Sequence, residues 1–229
     1  MNRSFFLLAI LLLLAVGCGK VPFETATTYD LDGLGVPKFM TSNFVNLDKI
    51  KSIVKLRSSH GHDYSDDFES NRSMKHYFIP KAAFADANDQ IECYSPINGK
   101  IIDVFNERIN GKQIRIRSLD YNYTGWIVIL FHLNTNMTSG TNISAGQLLG
   151  YFDVRGGNEL DIAVQCITFM GTHLFSCFDV MTDSVFNDYI ARGVPNRETL
   201  IISKEYRDAN PADFSGEREL DTAEVVVLN

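Results

Sequence analysis

The stretch GWIVILFHL, residues 125–133, is an almost unbroken run of β-branched, aromatic and other apolar residues. A short continuous apolar run of this kind is typical of a strand that is buried on both faces. The stretch NELDIAVQCITF, residues 158–169, has the same character and predicts a second buried strand. Two central strands are therefore the starting point for the fold prediction.

The segments next to these two runs also predict strands. IECYSPINGKIIDVF, residues 91–105, carries an Asn-Gly pair between two β-rich runs, which predicts a hairpin. GKQIRIRS, residues 111–118, alternates apolar and basic residues, so one face of that strand is solvated. NISAGQLLGYFD, residues 142–153, predicts a turn followed by a strand. Seven or so short strands with turns between them predict an all-β fold.

The rest of the chain adds fewer elements. KIKSIVKL, residues 49–56, predicts a strand, and the polar residues 65–90 predict a long loop. One helical pattern covers residues 179–192, with Gly193 as its stop signal. The last residues, EVVVLN at 224–229, predict a final strand.

The amino-terminal residues indicate a cell-envelope location. A basic start is followed by FFLLAILLLLAV, residues 5–16, and then by small residues before Cys18. This apolar run is too short to span a bilayer and resembles a bacterial lipoprotein signal, which implies a signal peptide at 1–17 and lipidation of Cys18. The alternative is an ordinary secretory signal with Cys18 merely nearby. The residue after Cys18 is glycine, which by this analogy favours the outer membrane or cell surface, with the lipid anchor as the contact to the membrane.

Charge and cysteine content limit the other function classes. The chain has 21 Lys+Arg against 28 Asp+Glu, and this acidic balance argues against a nucleic-acid partner. Beyond Cys18 it has Cys93, Cys166 and Cys177, so one internal disulfide at most is expected. Cys166 and Cys177 are the preferred pair, and three buried thiols are the alternative.

A polar stretch of unusual composition precedes the β-rich part. RSSHGHDYSDDFESNRSMKH, residues 57–76, contains three histidines and three aspartates. Histidine and aspartate are common metal ligands, so the stretch predicts either a metal site or a hydrogen-bonded polar loop in which Asp63 or Asp66 caps a turn. The stretch alone does not decide between these two possibilities.

Five pieces, in this order, resemble the lysostaphin or LytM-type zinc endopeptidases, which cut peptide cross-links in peptidoglycan. The pieces are GHDYS (61–65), YSPINGKIIDV (94–104), ILFHL (129–133), ISAGQLLGYF (143–152) and ELDIAV (159–164). The resemblance implies a LytM-like β-sandwich, the duplicated hybrid motif. With it, the chain divides into a spacer from the lipid anchor at 18–47, a LytM-like β-domain at 48–176, and a helix and tail at 177–229 packed on that domain.

The resemblance also implies a zinc site, from which this sequence departs. In the family, zinc is held by the histidine and aspartate of a His-x-Gly-x-Asp element and by the second histidine of a closing His-x-His strand. Alignment on Gly61 and Tyr64 puts Asp63 on the zinc aspartate and Ser59 on the zinc histidine. The closing pair falls on Glu159 and Asp161. The histidine of ILFHL is retained as His132, which the resemblance implies to stabilise the transition state or position the water if the protein is active.

A second alignment of the polar stretch is compatible with a metal site. His62 and Asp66 have the family's His-to-Asp spacing, and His60 is near enough in sequence to contribute. The candidate metal ligands are therefore His62, Asp63, Asp66 and Asp161, with His60 as an alternative histidine. Such an oxygen-rich set predicts a divalent cation, Zn²⁺ bound weakly or Mn²⁺ or Ca²⁺, rather than a peptidase zinc.

Burying Glu159 and Asp161 without partners is costly, so they are expected to face a groove, a cation or basic side chains. Basic residues that can supply this charge are Arg115 and Arg117, or Arg72, Lys75 and His76. Tyr64, Glu159 and Arg72 are the candidate binding residues of such a groove, with Tyr77 and Trp126 as further aromatic lining. Together with the missing zinc histidines, the resemblance implies a non-catalytic lipoprotein that binds peptidoglycan or regulates a cell-wall hydrolase. The alternatives are an active metal-dependent endopeptidase and a structural envelope protein without a small ligand.

Overall fold

A single antiparallel sheet of eleven strands dominates the described part of the chain. The structure is a computed structural model that describes residues 27–108, 110–215 and 220–229. The predicted signal peptide and Cys18 lie outside the described residues. The strands are β1 Ile50–Val54, β2 His76–Pro80, β3 Glu92–Tyr94, β4 Gly99–Asn106, β5 Lys112–Ser118, β6 Trp126–Asn134, β7 Asn142–Ile143, β8 Leu148–Phe152, β9 Leu160–Thr168, β10 Gly171–Phe175 and β11 Val225–Val227. The α-helices are α1 Leu31–Leu34, α2 Cys177–Val180, α3 Asp183–Ile190 and α4 Lys204–Ala209.

The two apolar runs lie side by side at the centre of the sheet. The strand order is β11-β1-β2-β9-β6-β5-β4-β7, with β6 paired to β9 from Trp126 opposite Cys166 to Leu130 opposite Ile162. The far end of β9 continues into the hairpin with β10, and the far end of β6 pairs with β8. The all-β prediction is confirmed, as are the predicted strands at 49–56, 111–118 and 125–133.

Each central strand serves two cores. Leu130 of β6 and Ile162 of β9 point into the main core, while Ile129 and Ala163 point to a smaller apolar cluster on the opposite face. This alternation follows from the period of two along a strand. Both faces of β6 and β9 are covered, which explains why their sequences are continuous apolar runs rather than alternating ones.

The predicted loop at 65–90 contains a strand, and that part of the prediction is wrong. His76–Pro80 forms β2, which pairs with β1 on one side and with β9 on the other. Four of its five residues are buried. The run HYFIP is short and follows a polar stretch, so its strand character depends on partners that are distant in sequence.

The predicted hairpin at Asn98-Gly99 is also wrong. The strand before it, β3, pairs with β8, whereas β4 pairs with β5 and β7. Gly99 lies inside the sheet, where a Cβ atom would stand 2.4 Å from the Ile116 side chain. The glycine therefore serves a close approach of strands and not a turn.

Residues 29–47 pack against the domain instead of forming a spacer. Phe39, Met40, Phe44 and Val45 are each at most 7% exposed and belong to the main core. The described part of the predicted spacer is therefore folded, because its few apolar residues pack on the main-core face of the sheet.

The carboxyl-terminal segment packs on the domain as well. The single helix predicted over 179–192 is divided into α2 and α3 by Met181, whose extended backbone (ψ 135°) interrupts the helix. Phe178 and Tyr189 from these helices are fully buried in the main core. The predicted last strand is confirmed as β11, which pairs with β1.

All three described cysteines, Cys93, Cys166 and Cys177, are free thiols that are at most 1% exposed. The preferred disulfide between Cys166 and Cys177 is therefore wrong, and the buried-thiol alternative is confirmed. Burial raises the pKa of the Cys166 thiol to about 12. Among the described residues, the helices are all too short or too polar to cross a bilayer.

Candidate functional site

A bulge in β6 places His132 at the candidate site. Pairing with β5 shifts between Lys112 opposite Leu133 and Ile114 opposite Leu130, which leaves an extra residue in β6. His132 has a φ of 57°, in the left-handed region that residues other than glycine rarely adopt. Strict alternation would send its side chain toward the main core, as for Leu130. The bulge instead brings the imidazole to the face that carries Asp161.

Asp161 is the buried acidic group at the centre of the site. It lies in β9 opposite Tyr77 of β2 and is 3% exposed. One carboxylate oxygen accepts a hydrogen bond from Lys75 Nζ at 2.8 Å and lies 3.7 Å from His132 Nε2. Burial by itself would raise the pKa of Asp161, but the positive charges of Lys75 and His132 outweigh this effect and lower it. Asp161 is therefore a carboxylate at neutral pH.

Lys75 supplies the principal positive charge beside Asp161. It directly precedes β2, and 2% of the residue is exposed. Its ammonium nitrogen lies over three aromatic rings, 4.9 Å from the centroid of Tyr64, 5.2 Å from that of Tyr77 and 4.3 Å from that of Phe131. Such faces attract a cation, and the attraction is larger when the cation is desolvated. Carboxylate and rings together form a closed cage for one ammonium ion.

His132 is held between two carboxylates. Its Nδ1 lies 3.0 Å from Glu107 Oε2, and its Nε2 faces Asp161. Burial disfavours the imidazolium, but Asp161 and Glu107 outweigh it and raise the pKa of His132 to about 10. The ring is therefore protonated at neutral pH, and both of its N–H groups point at protein carboxylates. A protonated imidazole has no lone pair for a metal.

The histidines of the polar stretch take different environments. His60 Nε2 lies 2.6 Å from Glu159 Oε2, and its ring packs edge-on against Tyr77. Burial opposes protonation of His60, but Glu159 outweighs it and raises the pKa of His60. His62 is exposed, and partial burial and the charge of Lys75 lower its pKa. Only the first of these histidines is therefore fixed by a charged partner.

Gly61, between these two histidines, allows the stretch to approach β2 closely. It has a φ of 72°, and a Cβ atom there would stand 2.4 Å from the Tyr77 hydroxyl oxygen. A side chain at this position is excluded on both grounds.

Ser59, at the position of the family's zinc histidine, is bound to the carboxyl-terminal tail. Its N–H and its hydroxyl donate to Glu224 Oε2 at 2.7 and 3.0 Å. The other oxygen of Glu224, which is 7% exposed, accepts from Arg207 of α4. Nothing in the sequence connects Ser59 with residues more than 140 positions away, so Glu224 and Arg207 were not predicted. Glu107, only 25 positions from its partner His132, was also not predicted, because the bulge at His132 has no signal in the local sequence.

The four predicted metal ligands do not come together. Asp66 accepts hydrogen bonds from the N–H groups of Phe68 and Leu174, at 2.8 Å each, and so fixes the loop to β10. Asp63 is exposed and accepts a hydrogen bond from the hydroxyl of its neighbour Ser65. Within the described ranges, no three histidine, cysteine or acidic side chains are arranged to hold a metal ion.

The predicted binding residues are only partly at the site. The half-buried ring of Tyr64 covers Lys75, and Glu159 contacts His60 at the edge of the cage. Arg72 is 3% exposed and its guanidinium binds Glu69 and Asp208 instead, at 2.7 and 2.5 Å. Trp126 is fully buried at the opposite end of β6, so its predicted place in a groove is wrong.

One of the basic residues that were expected to compensate Glu159 and Asp161 does so. Lys75 is confirmed as the partner of Asp161, while Arg115 donates to Gln165 at 2.6 Å. His76 lies on the other face, where it contacts the Val54 carbonyl and the Ser176 hydroxyl, and burial lowers its pKa to about 4.

The residues present do not fit a zinc ion. A catalytic zinc needs three protein ligands and one open position for water. At the three corresponding positions Ser59 is bound to Glu224, Asp63 accepts a hydrogen bond from the Ser65 hydroxyl, and Asp161 is bound to the ammonium of Lys75. The space beside Asp161 is taken by a positive charge that belongs to the chain itself. No reaction step through a metal follows from this arrangement.

Comparison with known proteins gave matches among solved structures alone. No family model and no curated protein matches the chain. LytM of Ruminococcus gnavus is 15% identical over 46% of this chain and 44% of that one, with a TM-score of 0.37. The catalytic domain of the antimicrobial peptidase lysostaphin from Staphylococcus simulans is 17% identical over 49% of this chain and 89% of that one, with a TM-score of 0.34. Csd3 of Helicobacter pylori is 13% identical over 83% of this chain and 45% of that one, with a TM-score of 0.37.

The alignments span about half or less of the Ruminococcus and Helicobacter chains. The solved structures that this chain resembles include peptidases of the LytM and lysostaphin type, at low sequence identity.

Proposed function

We propose that this protein is a lipid-anchored protein of the bacterial cell envelope with a LytM-like β-domain that does not hydrolyse peptidoglycan. Its role is to bind peptidoglycan or to regulate a hydrolase that acts on it. The envelope location is supported by the resemblance of residues 1–18 to a lipoprotein signal. The relation to the cell wall is supported by the five sequence pieces that resemble the peptidases.

The observation that carries the non-catalytic part is the Lys75–Asp161 pair. A metallopeptidase needs a metal-bound water at the point where its ligands converge. Here Asp161, at the position of one zinc ligand, is instead paired at 2.8 Å with an ammonium group that has three aromatic rings around it. Separating the buried ammonium of Lys75 from the Asp161 carboxylate is costly, so a metal ion does not readily displace the lysine.

The cage supports binding through the groups at its edge. Tyr64 is half-buried, His62 is exposed, and the side chain of Glu159 is 21% exposed. An aromatic ring next to ionisable groups offers stacking and hydrogen bonds to a glycan or peptide. This edge is the part of the site that remains accessible to a ligand.

The test compares metal content, hydrolysis and binding in the purified full-length protein. We expect less than one tenth of an equivalent of zinc by elemental analysis, no release of fragments from purified sacculi with or without added Zn²⁺, and co-sedimentation with those sacculi. Lysis that a chelator abolishes would establish the active metallopeptidase instead.

A matched pair of variants locates the binding surface. Glu159→Gln removes one negative charge at the edge of the cage, and Asp188→Asn removes one from an exposed position on α3. We expect at least a fivefold weaker sacculus binding for the first variant and no change for the second. Equal binding by both variants and the wild type would place the contact elsewhere, and no sedimentation at all would overturn the peptidoglycan part of the proposal.

A further inference from the structure

The most exposed large apolar side chains of the described residues cluster at one end of the molecule. Phe169 is 90% exposed, Tyr121 is 83%, Met170 is 76% and Leu34 is 68% exposed. Two adjoining surface pockets share Thr28–Asp30, and one of them is lined by Phe169 and Met170 while the other is lined by Leu34 and Tyr121. These four side chains, called the apolar end below, therefore surround the first described residues of the chain.

The apolar end and the candidate site lie at opposite ends of the central strands. Phe169 and Met170 form the turn between β9 and β10, next to Cys166, which pairs with Trp126 at the start of β6. His132 lies six residues further along β6. At about 3.3 Å per residue, this places the site about 20 Å from the apolar end.

We propose that the apolar end rests on the lipid bilayer and holds the candidate site away from the membrane, toward the cell wall. This inference rests on the proposed lipid anchor at Cys18. Eight residues lie between Cys18 and Thr27, and the nine Cα–Cα steps that join them reach at most about 30 Å. An anchored chain therefore keeps these four side chains within reach of the bilayer surface, where the local lipid concentration is high.

The chemistry of the apolar end fits a membrane interface. Phenylalanine, tyrosine, methionine and leucine on short projecting turns can enter the headgroup region without unfolding the sheet, and aromatic side chains are favoured there. Asp30 and Asp32 line the first of these pockets, and Asp120 lines a third pocket that shares Tyr121 with the second. These carboxylates are compatible with zwitterionic headgroups and are repelled by anionic ones. The surface thus predicts docking on zwitterionic lipid that weakens as the anionic fraction increases.

The experiment places a tryptophan at each end of the sheet in the full-length lipidated protein. Phe169→Trp reports on the apolar end, and Phe105→Trp is the matched control, because Phe105 is 47% exposed at the end of β4 near the site. Each variant is reconstituted on phosphatidylcholine vesicles with brominated acyl chains, and its tryptophan fluorescence is measured. The wild-type fluorescence, which comes from the buried Trp126, is subtracted from that of each variant. We expect at least twofold stronger quenching at 169 than at 105, decreasing when phosphatidylglycerol is added.

The outcomes separate the inference from the proposal it rests on. If the protein does not stay with vesicles and takes up no labelled fatty acid, while Cys18→Ser behaves like the wild type, the lipid anchor itself is refuted. If the protein is anchored but the two tryptophans are quenched equally or not at all, the docking inference is overturned. A dimer that Phe169→Ser with Met170→Ser converts to a monomer would also overturn it, by making the apolar end a contact between two copies.

Discussion

Replacing Lys75 with methionine tests whether the caged ammonium holds the site together. Methionine has a similar length and fills the space between the three rings, so the change removes the charge with little change in volume. Asp161, which is 3% exposed, is then left with His132 at 3.7 Å as its nearest cation. Removing one partner of a buried ion pair typically costs 3–5 kcal/mol. We therefore expect the free energy of unfolding to fall by about 3–5 kcal/mol.

A double-mutant cycle distinguishes the ion pair from simple repacking. Asp161→Leu leaves Lys75 as an unpaired buried charge, while the combination of Lys75→Met and Asp161→Leu removes both charges. Because apolar replacement of both partners of a buried pair is often neutral or stabilising, we expect the double variant to be more stable than either single variant. The coupling between the two positions is then about 2 kcal/mol or more.

Urea unfolding followed by circular dichroism measures these differences from the midpoint and the slope of the transition. An unchanged slope shows that the folded and unfolded states remain comparable. A loss of less than about 1 kcal/mol for Lys75→Met, or costs of the two single changes that simply add, would refute the idea that this pair closes the site.

Three further outcomes follow from the charges and thiols. The pKa of His132 in the folded protein is raised to about 10. Its contribution to stability is therefore fully present below about pH 6.5 and is lost as the pH rises toward 10. Urea midpoints should fall over this range in the wild type and should fall less in His132→Gln. Glu224→Gln leaves Arg207 buried without its carboxylate partner and should lower the free energy of unfolding by about 3 kcal/mol in the same assay. Lys38→Met, which breaks the exposed ion pair with Asp183, should leave the urea midpoint unchanged. The three described cysteines, at most 1% exposed and with raised thiol pKa values, should react with a thiol reagent only on unfolding, and rapid labelling of the folded protein would contradict their placement.

The strands were predictable where a continuous apolar run or a clear alternation of apolar and polar residues indicates which side chains are buried. The runs at 125–133 and 158–169 predict β6 and β9, and GKQIRIRS predicts β5, because each is long enough for its period to be read. β2 was missed because it has only five residues and a polar stretch before it. The turn at Asn98-Gly99 was misread because its two strands pair with other strands and not with each other.

The candidate site was predictable in its members and not in its pairings. Asp161 and His132 were identified from the resemblance, and Lys75 was one of several possible sources of counter-charge. Which cation meets which carboxylate depends on strand register and on the bulge at His132. Local sequence carries no signal for either of these features.

The sequence by itself determined that the chain is all-β and that its two central strands are buried on both faces, because apolar runs and their period act over a few neighbouring residues. It also determined that Asp161 in β9 and Glu159 just before it require partners, because a carboxylate cannot be buried uncompensated. The tertiary structure alone decided that Lys75 fills the place beside Asp161 and that Glu224 holds Ser59. These contacts join residues 86 and 165 positions apart, so they exist only after the sheet has formed.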